Sequence, residues 1–149
     1  DCAEPFTKRA EKGAIFLCRT SNPGAADFQE LDINGSKLYE LVAEQIANEW
    51  NQNNNCCLVV GATAPEQIAR VRRIVGDMPL LVPGVGAQGG DVEQIVKAGQ
   101  TADGYGLVIN ASRSIIYAST GSDFAEATRL AALNLRDEIN LHRSAAVAS

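Results

Sequence analysis

Four glycines fall within residues 84–90, directly ahead of Asp91 and of apolar residues at helical spacing, Val92, Ile95 and Val96. Glycines let a backbone approach an anion closely. A helix start adds free N–H groups and the positive end of its dipole, so this segment can cradle a phosphate or a carboxylate. Taken alone, such a loop is often only a tight turn. A second feature strengthens the anion reading: Arg113 follows the next apolar run, and a guanidinium offers paired donors that match a phosphate. Ser21 stands in residues 19–24 (Arg-Thr-Ser-Asn-Pro-Gly), after the first apolar run. Ahead of Asn-Pro-Gly it reads naturally as a turn residue.

Proton-donating chemistry has few candidates. The lysines are Lys8, Lys12, Lys37 and Lys97. Lys8, Lys12 and Lys97 fall in stretches with helical spacing and Lys37 opens one, so none is set to protonate a substrate. His142, the sole histidine, lies near the end of the last helical stretch, where a cation complements the helix dipole. Asp27, Asp32 and Asp103 read as loop carboxylates. The cysteines, Cys2, Cys18, Cys56 and Cys57, form no C-x-x-C pair, and Cys18 and Cys57 sit in apolar runs as small hydrophobes. No His, Cys and carboxylate spacing suits a metal, and no cofactor is expected.

The elements that must position these residues alternate four times. Apolar runs occupy residues 14–18, 57–60, 80–82 and 105–109. Helical stripes follow each: Leu38, Leu41, Val42, Ile46 and Trp50 within 37–51; Ile68, Val71 and Val75; Val92, Ile95 and Val96; and Phe124, Ala127, Ala131, Leu135 and Ile139. Thr63 with Glu66, and Asp123 with Glu126, have the spacing of capping pairs; Asp91 caps the third helix; Gly76 and Gly99 end two helices. Continuous apolar strands separated by helices predict a parallel sheet, either an open doubly wound sheet or a section of a (β/α)₈ barrel. An open sheet of the flavodoxin kind wants five strands, and four is half of eight. In a barrel the chemistry lies in the loops after the strands, and Ser21, Gly61, Thr63, residues 83–91 and Arg113 all fall there.

Length and charge set further bounds. The chain has 149 residues and a formal net charge of −5, enough for one packed domain and the wrong sign for a general nucleic-acid footprint. No apolar run approaches 18 residues, and the cysteine usage suits a reducing cytoplasm, so neither membrane nor nucleic acid is an expected partner. The start, Asp1-Cys2-Ala3-Glu4-Pro5-Phe6, reads as a loop entering a short helix in the middle of a protein.

Four segments in order carry a family resemblance: residues 19–24, 59–63 (Val-Val-Gly-Ala-Thr), 81–91 (Leu-Val-Pro-Gly-Val-Gly-Ala-Gln-Gly-Gly-Asp) and 109–113 (Ile-Asn-Ala-Ser-Arg). With the Arg-Asp-Glu-Ile-Asn run at 136–140, they resemble strands five to eight of the longer bacterial orotidine 5′-monophosphate decarboxylases. The resemblance implies that residues 1–149 are a single C-terminal half-barrel. It implies that Gln88, backbone N–H groups at Gly89 or Gly90, and Arg113 hold the substrate phosphate. Ser21 would read the pyrimidine edge, with Gly61 and Thr63 as candidate ring neighbours. The implied activity is cofactor-free decarboxylation of orotidine 5′-monophosphate to UMP, in which clustered carboxylates stress the substrate carboxylate and a lysine protonates the carbon left behind. That machinery is an Asp-x-Lys-x-x-Asp array on the first strands, and no Asp-x-Lys occurs in this sequence. The expected partners are therefore the missing N-terminal half-barrel and a second copy, as a dimer, with the chain inactive by itself. The alternative is a non-catalytic phosphate-binding half-barrel or scaffold.

Overall fold

The computed structural model describes residues 2–85 and 90–143. A short helix α1 (Glu4–Thr7) precedes strand β1 (Ala14–Arg19). Next come α2 (Ala25–Phe28), a two-stranded hairpin of β2 (Asp32–Ile33) and β3 (Ser36–Lys37), and α3 (Leu38–Gln45), which runs into one π-helical turn, Ile46–Trp50. Strand β4 (Cys56–Val60), α4 (Pro65–Val75), β5 (Leu80–Pro83), α5 (Val92–Gly99) and β6 (Leu107–Asn110) follow in strict alternation. Helices α6 (Arg113–Ile116) and α7 (Phe124–His142) complete the described chain.

The four long strands form one parallel sheet in the order β1-β4-β5-β6. Its two faces differ sharply. Leu58, Val60, Leu80 and Val82 are buried on the face covered by the helices, against Ile46, Ile68, Val71, Ile95 and Val96. On the other face Ile15, Leu17 and Val108 are 59%, 62% and 53% exposed. Register aligns them with the half-buried Cys57, Val59 and Leu81: Ile15 faces Cys57, Leu17 faces Val59, Val59 faces Leu81, and Leu81 faces Val108. An apolar row on every strand of a parallel sheet is the inner layer of a barrel, which packs only when the strands close.

Several local expectations change. The deepest residues of α3 and its π-turn are Tyr39, Ala43 and Ile46, while Leu38, Leu41 and Val42 are half-buried and Trp50 is exposed with its ring tilted on Phe16. Burial and the neighbouring Glu40 carboxylate push the Tyr39 phenol up to about 12. Thr63 does not cap α4: the cap position is Ala64, with no side-chain bond, and the Thr63 hydroxyl turns to the Ser21 carbonyl instead. Asp123 likewise gives α7 no side-chain cap, because its carboxylate accepts from Ser119. Asp91 caps α5 as expected, accepting from Gln94 N–H at 3.0 Å. Gly99 is the last residue of α5, and Gly76 takes φ 58° just after α4. No residue of α7 is buried; Leu135 and Ile139 lean on the core and Phe124 is exposed. Lys12 lies in a turn rather than a helix.

At the end of the sheet opposite the strand C-termini, Arg72 acts as a cross-brace. It donates to the carbonyls of Gly76, Gly99, Met78 and Gly106 at 2.6, 2.7, 2.7 and 2.9 Å, which ties the starts of β5 and β6 to the ends of α4 and α5. Charge-assisted bonds to four carbonyls satisfy a guanidinium that would be costly to bury alone.

Candidate functional site

Each strand ends in a loop on the same side of the sheet, and backbone bonds stitch the loops together. Gly61 N–H, just past β4, donates to the Arg19 carbonyl at 2.8 Å, and Ala62 N–H donates to the Pro83 carbonyl at 3.1 Å. Pro83 pairs with Asn110 at the ends of β5 and β6, and Val85 bridges Gly90 in parallel fashion across the Gly-rich segment. The described parts of the four loops thus meet along one rim.

Ser21, Gly61 and Thr63 meet on this rim. A Cβ on Gly61 would lie 2.7 Å from Ser21 N and 2.8 Å from Ser21 Cβ, so only glycine permits this approach. Thr63 Oγ1 sits 3.5 Å from the Ser21 carbonyl oxygen. Gly90 allows a similar approach in the following loop: a Cβ there would be 2.7 Å from Ala62 Cβ and 3.2 Å from the Ala62 carbonyl oxygen. Gly84 has φ 93°, a left-handed turn that opens the Gly-rich segment. Gln88 and Gly89 lie outside the described residues.

Arg113 is the first residue of α6, after Ser112 at the cap, and not part of an irregular loop. It is exposed and lines a cleft of about 130 Å³ with Pro83, Gly84, Val85, Asn110 and Ser112. Among the described residues its guanidinium has no hydrogen-bond or ion-pair partner. The anion-binding reading therefore has its two elements side by side: the start of the Gly-rich segment and a free cationic fork. No described contact links Arg113 directly to Ser21.

Lys8 pairs with Glu4 at 2.5 Å, Lys37 with Asp32 at 3.6 Å, and Lys97 with Glu93 one turn away. His142 ends α7. Burial pushes the Cys18 thiol up to about 12, so it stays protonated near neutrality. Among the described residues no group of three His, Cys, Asp or Glu side chains could hold a metal, and no helix is long and apolar enough to cross a membrane. Sequence reasoning missed Asn110, which lines the Arg113 cleft, and the polar set of Arg19, Gln29 and Glu30 behind Ser21. A polar residue closing an apolar strand was the available signal for Asn110.

Four parallel βα units whose loops gather at the strand C-termini are the build of a (β/α)₈ barrel, represented here by half its strands. Residues 1–128 match the family described as orotidine 5′-phosphate decarboxylase / HUMPS, and the chain belongs to that family. It is 60% identical over 144 residues to the orotidine 5′-phosphate decarboxylase of Cellvibrio japonicus, across 97% of this chain and 53% of that protein. The enzyme of the same name from Azoarcus sp. is 60% identical over 143 residues, again across 53% of its length. Among solved structures, the Leishmania donovani OMP decarboxylase has a TM-score of 0.79 at 36% identity, covering 94% of this chain and 53% of that one. The decarboxylase from Methanocaldococcus jannaschii, complexed with inhibitor BMP, has a TM-score of 0.62 at 24% identity and speaks to the fold alone. The chain spans about half the length of the curated relatives it matches.

Proposed function

We propose that this chain is the substrate-gripping half of an orotidine 5′-monophosphate decarboxylase, corresponding to strands five to eight of the barrel. The observation that carries this reading is the rim on which Arg113 faces the Gly-rich segment while Ser21 is pinned against Gly61. Arg113, Gln88 and the N–H groups of Gly89 and Gly90 hold the 5′-phosphate, and Ser21 reads the pyrimidine, with Gly61 and Thr63 beside the ring. Binding energy from the phosphate, remote from the bond that breaks, is used to order the loops and lower the barrier. The carboxylates and the proton-donating lysine come from the other half of the barrel, which accounts for the absence of Asp-x-Lys here.

The test uses this chain co-expressed with the remaining portion of the Cellvibrio japonicus relative, as a completed barrel. In that assembly UMP is expected to bind about 100-fold more tightly than uridine, the difference that charge-assisted phosphate contacts supply. Calorimetric titration of both ligands measures it, and equal affinities would remove the phosphate grip from the account.

The same reading makes the isolated chain an associating species. Among the described residues its sheet leaves β1 and β6 as unpaired edges and has an open face carrying Ile15, Leu17 and Val108. Exposed edges and apolar faces of this kind drive pairing. Sedimentation of the chain by itself at micromolar concentration is expected to give dimers or larger species. A monodisperse 15.8 kDa particle with cooperative unfolding would contradict this.

A further inference from the structure

We infer that Arg19, anchored by Glu30, is a positioning residue that sets the orientation of Ser21; the inference rests on the pyrimidine role proposed for Ser21. The strand pairing slips between Leu17 and Arg19, so that Cys18 and Arg19 are both buried where alternation would bury only one. Arg19 is 9% exposed. Its guanidinium pairs with the Glu30 carboxylate at 2.5 Å, and Gln67 of α4 approaches the same oxygen at 3.5 Å. The other arm of the fork donates to the carbonyl oxygen of Thr20, which belongs to the peptide bond leading into Ser21.

Thr20 is held from its other side as well. Its N–H donates to Gln29 Oε1 at 2.8 Å, and Gln29 Nε2 donates to the Thr20 hydroxyl at 3.0 Å. The Arg19 carbonyl meanwhile accepts from Gly61 N–H, the residue whose bare Cα leaves room for Ser21. One buried side chain thus fixes the plane of the peptide that presents Ser21, and its main chain joins that peptide to the second loop. Burying the guanidinium has a cost, since Arg19 Nε finds no acceptor among the described residues. An apolar residue would fill the space without that cost, but nothing apolar can hold the Thr20 carbonyl.

The test is a double-mutant cycle in the completed barrel, with kcat/KM for orotidine 5′-monophosphate as the readout. Arg19→Lys keeps a cation facing Glu30 but replaces the planar fork with a point charge that cannot hold both partners. It is expected to lower kcat/KM about 5- to 10-fold, and Ser21→Ala about 10- to 30-fold. The double variant should match Ser21→Ala alone, because once the hydroxyl is gone Arg19 has nothing left to position. If the two effects multiply, Arg19 is merely structural and the inference fails while the role of Ser21 stands. An Arg19→Lys variant at the wild-type rate overturns it equally. A Ser21→Ala variant at the wild-type rate removes the pyrimidine assignment and this inference with it. Should Arg19→Lys fail to fold, Glu30→Gln keeps the arginine, weakens its anchor, and is read against Ser21→Ala in the same way.

Discussion

Replacing Arg113 with alanine in the completed barrel is expected to lower kcat/KM for orotidine 5′-monophosphate by roughly 30-fold to 150-fold. The figure follows from losing a charge-assisted, two-pronged contact of about 2–3 kcal/mol. Arg113 lines the cleft opened by Gly84 and Val85, and among the described residues nothing competes for its guanidinium. Its loss therefore strips a contact from the ligand without breaking one inside the protein, and stability should hold. The corresponding nucleoside, which has no phosphate, should react at the same rate with either enzyme. Lysine should rescue poorly, because it offers a point charge where a fork is required. Equal slowing of nucleotide and nucleoside would make Arg113 a structural residue and end its phosphate role.

Gly61→Ala is expected to have an effect of similar size for a different reason. The new methyl carbon would lie 2.7 Å from Ser21 N and 3.0 Å from Ser21 Cα. Both are backbone atoms, so the first and second loops must move apart. A displacement on the order of 1 Å in a positioning element can reduce turnover about 100-fold. The variant should therefore lose about two orders of magnitude in kcat/KM, while circular dichroism reports an intact fold. Gly13→Ala is the control, since nothing lies within 4 Å of its added carbon, and it should be silent. Wild-type kinetics for Gly61→Ala would show that the approach of Ser21 to Gly61 has no bearing on the site.

The elements with strong periodicity were legible in the residues. The runs that became β4 and β5 are continuous and apolar because the helix side is buried and the other side is apolar as well. Ile68, Val71 and Val75 mark the buried side of α4, as their spacing requires. Elsewhere local chemistry was overridden by neighbours distant in sequence or by a competing turn. Thr63 and Asp123 have the spacing of caps, yet their side chains bond to Ser21 and Ser119. The last helix has an apolar stripe but no buried residue; among the described residues its main neighbours are α5, α6 and the edge of the core.

One signal was present and unread. Asn34-Gly35, with φ 56° and 91°, forms the two-residue turn of the β2–β3 hairpin, a pairing these two residues favour strongly. At the candidate site, the loop positions of Ser21, Gly61, Thr63, Gly90 and Arg113 were legible because they follow parallel strands, while the roles proposed for Ser21, Gly61 and Thr63 come from the family resemblance. The Arg19–Glu30 pair was not legible. An arginine closing an apolar strand should face solvent or ligand, and only the slip in register at Cys18 turns it inward.

Release of carbon dioxide from orotidine 5′-monophosphate, measured with this chain alone and with the completed barrel, tests the central claim most directly. The claim is that this chain grips the substrate and the other half breaks the bond. Background rates for the chain alone, and turnover rising by several orders of magnitude on completion, are the predicted result. Turnover by the chain alone would place the bond-breaking groups within this chain and contradict the division of labour. A completed barrel that binds UMP yet releases no carbon dioxide would leave a phosphate-binding scaffold in place of an enzyme.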